Sequence, residues 1–179
     1  FTRAYCQSPV CGPSRGSFYT GRYMLQHGVT WNNVPTPIGE LTMGDYMRAQ
    51  GVRTALVGKT HMRADLEGMQ RLGLDPKSSL GVLTAQSGFE PYERDDGLHP
   101  DQSVNPDLAY NRYLRNHGFD SDNPWHDFAN SVDGPDGEVL SGWSMRNARK
   151  PARVPEEHSE TAYMTNRAMQ FIEEADDKP

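Results

Sequence analysis

The residues best equipped for chemistry lie in two short stretches. In Pro9-Val10-Cys11-Gly12-Pro13-Ser14-Arg15 a thiol stands four residues before a guanidinium, and in Gly58-Lys59-Thr60-His61 an ammonium stands two residues before an imidazole. A cysteine can be a core residue, half of a disulfide, a metal ligand or a reactive nucleophile. A disulfide to Cys6, the one other cysteine, would close a short loop and constrain the unfolded chain only modestly. Neither cysteine has a partner at C-x-x-C or Cys/His spacing, so no zinc site is indicated. A cation beside a helix N-terminus, by contrast, stabilises a thiolate or another oxyanion.

Groups of this kind need a frame to hold them. Residues 1–10 suit a short strand leading to a turn at Cys11. Pro13 suits the start of a helix, where its missing N–H costs nothing, and Gly21 suits the left-handed residue that ends one. Cys11 is thereby expected at a helix N-terminus. A second helix is expected from Thr42, an N-cap with Asp45 three residues on and Leu41 set to pack against Tyr46, to about Gln50, where Gly51 stops it. Residues 52–57, bounded by glycines, have the length and valine content of a buried strand. Helix, strand and then Gly58-Lys59-Thr60-His61 predict an α/β architecture. Ligands of open α/β sheets bind beyond the carboxyl ends of strands, so Lys59 and His61 are expected in that crevice. Gly58-Lys59-Thr60 also suggests a nucleotide-binding P-loop, but that motif needs glycine where Arg53 stands.

Residues 84–157 differ in kind, being rich in Gly, Pro, Asp and Asn with scattered aromatics, and predict an ordered, loop-rich insertion. Its histidines, His99, His117 and His126, lack ligand spacing, and Asp95-Asp96 is expected to be solvated. His158 is expected to be a helix-entry residue, ahead of an amphipathic helix over 159–175 with Met164, Ala168, Phe171, Ile172 and Ala175 on its apolar face.

The run Cys11-Gly12-Pro13-Ser14-Arg15, with Phe18, Thr20 and Gly21 beyond it, resembles the C-x-P-S-R…T-G motif of type I sulfatases, members of the alkaline phosphatase superfamily. In that family the cysteine is oxidised after translation to formylglycine. Gly58-Lys59-Thr60-His61 resembles the family's G-K-x-H segment, whose Lys touches the sulfate and whose His bonds a formylglycine hydroxyl. Weaker matches at His27-Gly28-Val29 and Ser87-Gly88-Phe89-Glu90 extend the resemblance over most of the chain. Asn32 is similar to an asparagine that contacts substrate in the related phosphonate monoester hydrolases.

The resemblance implies an alkaline phosphatase-like mixed sheet flanked by helices, of which residues 1–179 would be the N-terminal part, with the insertion at about 84–157. It implies hydrolysis of sulfate monoesters by a formylglycine-hydrate nucleophile derived from Cys11, oriented by Arg15, with Lys59 on the transferring group and His61 on the second hydroxyl. A divalent metal is implied, Ca²⁺ first and Mn²⁺ or Mg²⁺ as alternatives, with residue 11 as one ligand. The remaining ligands and the acid histidine would lie outside the chain, so the isolated 179-residue chain is expected to be inactive. Implied partners are a small-molecule or saccharide sulfate ester and, transiently, the formylglycine-generating enzyme. Two other functions fit the same residues: a phosphonate monoester or phosphodiester hydrolase, and a non-catalytic anion-binding relative. Pro-Ser-Arg and Lys-x-His favour the sulfatase over the first, and a modifiable cysteine beside the cations argues against the second.

Composition narrows the field further. A net charge of −6 and the lack of a basic cluster longer than Arg149 to Arg153 argue against nucleic-acid binding. No apolar run approaches the length needed to span a bilayer, so no membrane segment is expected. The chain opens at Phe1 and stops just past a helix, as a piece of a longer chain would, and the compartment stays open between cytoplasmic and periplasmic or secreted.

Overall fold

Local signals around the cysteine decide the first element. A computed structural model of the chain describes residues 2–95 and 107–175. It divides into two compact units, residues 1–96 with 174–179, and residues 97–173. In the first unit, helix α1 spans Cys11–Thr20 and ends at Gly21, which adopts φ 68° and donates its N–H to the Ser17 carbonyl at 2.9 Å. The helix begins at Cys11 rather than at Pro13. Pro13 is tolerated as its third residue because the first four amides of a helix have no intrahelical acceptor. No strand forms over residues 2–10, contrary to expectation. An extended segment becomes a strand only when a partner takes its backbone bonds, and none among the described residues does so.

Helix α2 (Met24–His27) follows, then α3 (Met43–Ala49), whose N-terminus is closed by the Thr42–Asp45 capping box; Gly51, at φ 79°, lies beyond its end. Leu41 and Tyr46 stay 51% and 55% exposed, so the expected staple between them buries little. Strand β1 (Ala55–Gly58) covers the end of the predicted 52–57 strand and runs parallel to β2 (Glu90–Arg94), with a register shift between Leu56 and Val57. Parallel neighbours need a long crossover, here carrying α4 (Leu66–Arg71) and α5 (Ser79–Ala85). Thus β2 lies inside the stretch expected to be irregular. Asp95, expected in solvent, is only 6% exposed, and its amide donates to the Gly58 carbonyl at 3.2 Å, extending the β1–β2 pairing. Asp96 and His99 lie outside the described residues.

The second unit packs α6 (Ala109–Asn116) and α7 (Glu160–Glu174) around an aromatic core of Tyr110, Leu114, Trp125, Val154 and Tyr163, with Phe119 and Phe128 against it. A π-helical turn at Trp125–Ala129 leads into a short antiparallel pair, β3 (Ser131–Asp133) and β4 (Val139–Ser141). The predicted helix at 159–175 is α7. Its buried anchor is Tyr163, one position ahead of the expected apolar stripe, while Ile172 on that stripe is 70% exposed. No described helix is long and apolar enough to cross a membrane.

Candidate active site

The cysteine-bearing turn is held by contacts from two distant segments. Cys11 is a free, half-buried thiol in the first turn of α1, where the backbone amides present partial positive charge. Its cap residue, Val10, has no side-chain acceptor to offer. The acceptor comes instead from 20 residues downstream: the Asn32 carboxamide oxygen takes the Gly12 N–H at 2.7 Å. The approach is close, since a Cβ on Gly12 would lie 3.0 Å from the Trp31 carbonyl and 3.2 Å from Asn32 Cα. Glycine at position 12 is therefore a packing requirement.

Arg15 sits one helical turn after Cys11, on the same face. Its Nη1 donates to the Lys59 carbonyl at 2.7 Å, tying α1 to the turn after β1. In that turn Gly58 and His61 both have positive φ, 91° and 51°, while Thr60 between them is fully buried. Left-handed residues at both ends of the turn and a buried threonine leave Lys59 exposed and His61 half-buried at the carboxyl end of the parallel pair. The Thr60 hydroxyl accepts the Met62 N–H at 3.3 Å, and Arg94 of β2 donates to the Met62 carbonyl at 3.1 Å. A cleft of about 520 Å³ opens beside the cysteine, lined by Cys6, Val10, Cys11, Ser14, Arg15 and Phe18 among others. Hence Cys11, Arg15, Asn32 and the Lys59 backbone are joined by direct or adjacent bonds, with His61 two residues farther along the same turn.

Sequence reading gave no role to the group that fixes the other side of α1. His27 is 1% exposed; its Nδ1 accepts the Val29 N–H at 3.1 Å, so Nε2 carries the proton and donates to Ser17 Oγ at 2.9 Å. A Cβ on Gly16 would lie 2.8 Å from His27 Cε1, so the ring lies directly against α1. Burial pushes the His27 pKa below its ordinary value, with Glu40 opposing weakly. Only the His27-Gly28-Val29 match hinted at this strut, since burial of a lone histidine leaves no local pattern. Asp95, at the carboxyl end of β2, was missed for the same reason.

Among the described residues no group of three or more His, Cys, Asp or Glu side chains could hold a metal ion. The described side chains thus do not by themselves form a metal cage.

The sequence model of the Sulfatase family matches residues 1–179. The chain is similar to the multifunctional alkaline phosphatase superfamily protein PehA of Trinickia caryophylli, 29% identical over 172 residues that make up 94% of this chain and 29% of that protein. It is also similar to an ulvan-active sulfatase of Formosa agariphila, 32% identical over 124 residues, 69% of this chain and 20% of that protein. Among solved structures it resembles the phosphonate monoester hydrolase SpPMH from Silicibacter pomeroyi, with a TM-score of 0.65 and 21% identity over 93% of this chain and 29% of that one. At that identity the likeness establishes the alkaline phosphatase-type α/β fold alone. The chain spans less than a third of the length of each of these relatives.

Proposed function

The chain belongs to the sulfatase family, and from that premise we propose that the intact protein hydrolyses sulfate monoesters, in the manner of an arylsulfatase, with residue 11 as formylglycine. The reading rests above all on the Arg15 to Lys59 hydrogen bond, which joins the cysteine helix to the Lys-x-His turn across 44 residues. A sulfate monoester is hard to cleave because its oxygens repel the entering nucleophile and its alkoxide leaves poorly. Hydrated formylglycine supplies a strong oxygen nucleophile at the mouth of α1. Arg15, one turn on, holds that oxygen in place and adds positive charge to the helix N-terminus. The Lys59 ammonium, exposed on the turn that Arg15 grips, neutralises the transferring sulfuryl oxygens. The His61 imidazole takes the proton from the second hydroxyl of residue 11. Asn32, its oxygen committed to Gly12, offers its NH₂ to a sulfate oxygen.

A divalent metal, Ca²⁺ in this reading with Mn²⁺ or Mg²⁺ as alternatives, belongs to the family's chemistry. The described residues do not suffice to hold it, and no step above passes through it. The substrate is a small-molecule or saccharide sulfate ester. The formylglycine-generating enzyme is the transient partner, reading Cys11, Pro13 and Arg15 before folding buries Pro13. The resemblance to phosphonate monoester hydrolases supports a second reading, in which the same nucleophile attacks phosphorus. Peptide mass spectrometry of the intact protein, produced with the converting enzyme, should find an aldehyde in place of the Cys11 thiol. Turnover of an aryl sulfate should exceed that of phenylphosphonate, and the reverse order would replace the first reading by the second. An unmodified thiol together with no turnover of either ester would sink both.

A further inference from the structure

Two histidines that sequence spacing leaves apart, His117 and His158, meet in the second unit with ring centres 4.8 Å apart. One residue orients both. The His117 Nδ1 lies 2.7 Å from the Tyr113 carbonyl, which can only accept, so Nδ1 carries the proton and Nε2 keeps its lone pair. The His158 Nδ1 lies 2.8 Å from the Tyr113 hydroxyl, which can donate or accept. When that Nδ1 donates, the Nε2 of His158 is likewise a free lone pair. A backbone carbonyl or a hydroxyl behind the distal nitrogen is the arrangement that fixes a metal-ligating histidine in its binding tautomer.

The spacing suits a shared ion. With a metal to nitrogen distance of about 2.0–2.1 Å and about 1.1 Å from nitrogen to ring centre, each centre sits about 3.2 Å from the ion. For an ion faced by both Nε2 atoms, centres 4.8 Å apart subtend about 97° at the metal, between the square-planar and tetrahedral angles. Tilted packing of the Tyr113 and His117 rings, with centres 4.1 Å apart, holds His117 in place, although its side chain is otherwise exposed. Two imidazoles with water in the remaining positions select borderline divalent ions, Cu²⁺ most tightly and then Zn²⁺ and Ni²⁺, and reject Ca²⁺, which wants oxygen.

We propose that His117 and His158 form a two-histidine site for a transition-metal ion, oriented by Tyr113. The test is titration of the intact protein with CuCl₂ and, separately, ZnCl₂, followed by calorimetry and by paramagnetic resonance of the copper. One equivalent should bind with hyperfine splitting from two imidazole nitrogens, and excess Ca²⁺ should not compete. His117→Gln and His158→Gln should each weaken binding at least tenfold. Tyr113→Phe keeps the carbonyl for His117 and should weaken it only a few-fold. His126→Gln, whose ring pairs with Asp127 instead, should change nothing. Should His158→Gln fail to fold, His117→Gln, at an exposed position, decides alone. Affinity and copper spectrum unchanged in His117→Gln, or no binding by the unsubstituted protein, would overturn the proposal.

Discussion

Replacing Asn32 separates its structural bond from its chemical one. In Asn32→Ala the Gly12 amide loses its acceptor at 2.7 Å, and because Gly12 is buried, water replaces that acceptor poorly. Loss of a helix cap costs about 0.5–2 kcal/mol, and a buried unsatisfied donor about 1–3 kcal/mol, so a loss of about 1–2 kcal/mol is expected. Asn32→Asp keeps the acceptor and adds an anion at the helix N-terminus, which is favourable by about 0.3–1 kcal/mol. In the proposed reading the same anion would face the sulfate. At an effective dielectric of about 20, a unit charge about 5 Å from the substrate costs about 3 kcal/mol, or roughly a hundredfold in kcat/KM. Stability by urea denaturation should therefore rank Asp at or above Asn, with Ala below. Turnover of an aryl sulfate should rank Asn, then Ala, then Asp. An Asp variant as destabilised as the Ala variant would refute the capping argument, and an Asp variant with full turnover would remove Asn32 from the anion site.

Three further outcomes follow from the packing. Burial holds His27 below its ordinary pKa of 6.5, so below about pH 6.5 the unfolded chain takes up a proton that the folded chain refuses. Stability should be full above that pH and fall as pH drops toward the folded pKa, by at most about 1.4 kcal/mol per pH unit; a His27→Gln variant should lose this component in urea melts taken between pH 7 and 5. Gly16→Ala places a methyl 2.8 Å from His27 Cε1 and should destabilise the fold by about 1–3 kcal/mol; an unchanged melting temperature would mean that α1 is not wedged against that ring. In the second unit Leu114 is fully buried in the aromatic cluster, and Leu114→Ala should cost about 2–5 kcal/mol, visible by denaturation monitored at the tryptophans.

The elements that local chemistry specifies were legible residue by residue. Gly21 and Gly51 end helices because no other residue takes a left-handed φ so cheaply, and Thr42 with Asp45 caps α3 through atoms three residues apart. What depended on partners far along the chain was not. Residues 2–10 pair with no strand among the described residues, β2 hides inside a polar stretch, and the Asp95 backbone continues a parallel pair. The apolar stripe on α7 missed Tyr163 because a tyrosine's burial is set by the Tyr110 and Tyr113 rings around it, 5.2 and 4.8 Å away between centres.

The candidate site divides in the same way. Cys11 at a helix N-terminus with Arg15 one turn on follows from 3.6-residue periodicity, and Lys59 and His61 after a strand follow from hydrophobic patterning and glycine punctuation. Those are properties of a few consecutive residues, so the sequence by itself determined the candidate groups and the type of element each stands on. Tertiary structure alone decided that the Arg15 guanidinium grips the Lys59 carbonyl, that Asn32 caps Gly12, and that His27 is a buried strut. It alone brought His117 beside His158. Each of these is a bond or a ring contact between residues 10 to 44 positions apart, and such pairings exist only once burial has brought the segments together and removed the water that would otherwise satisfy them.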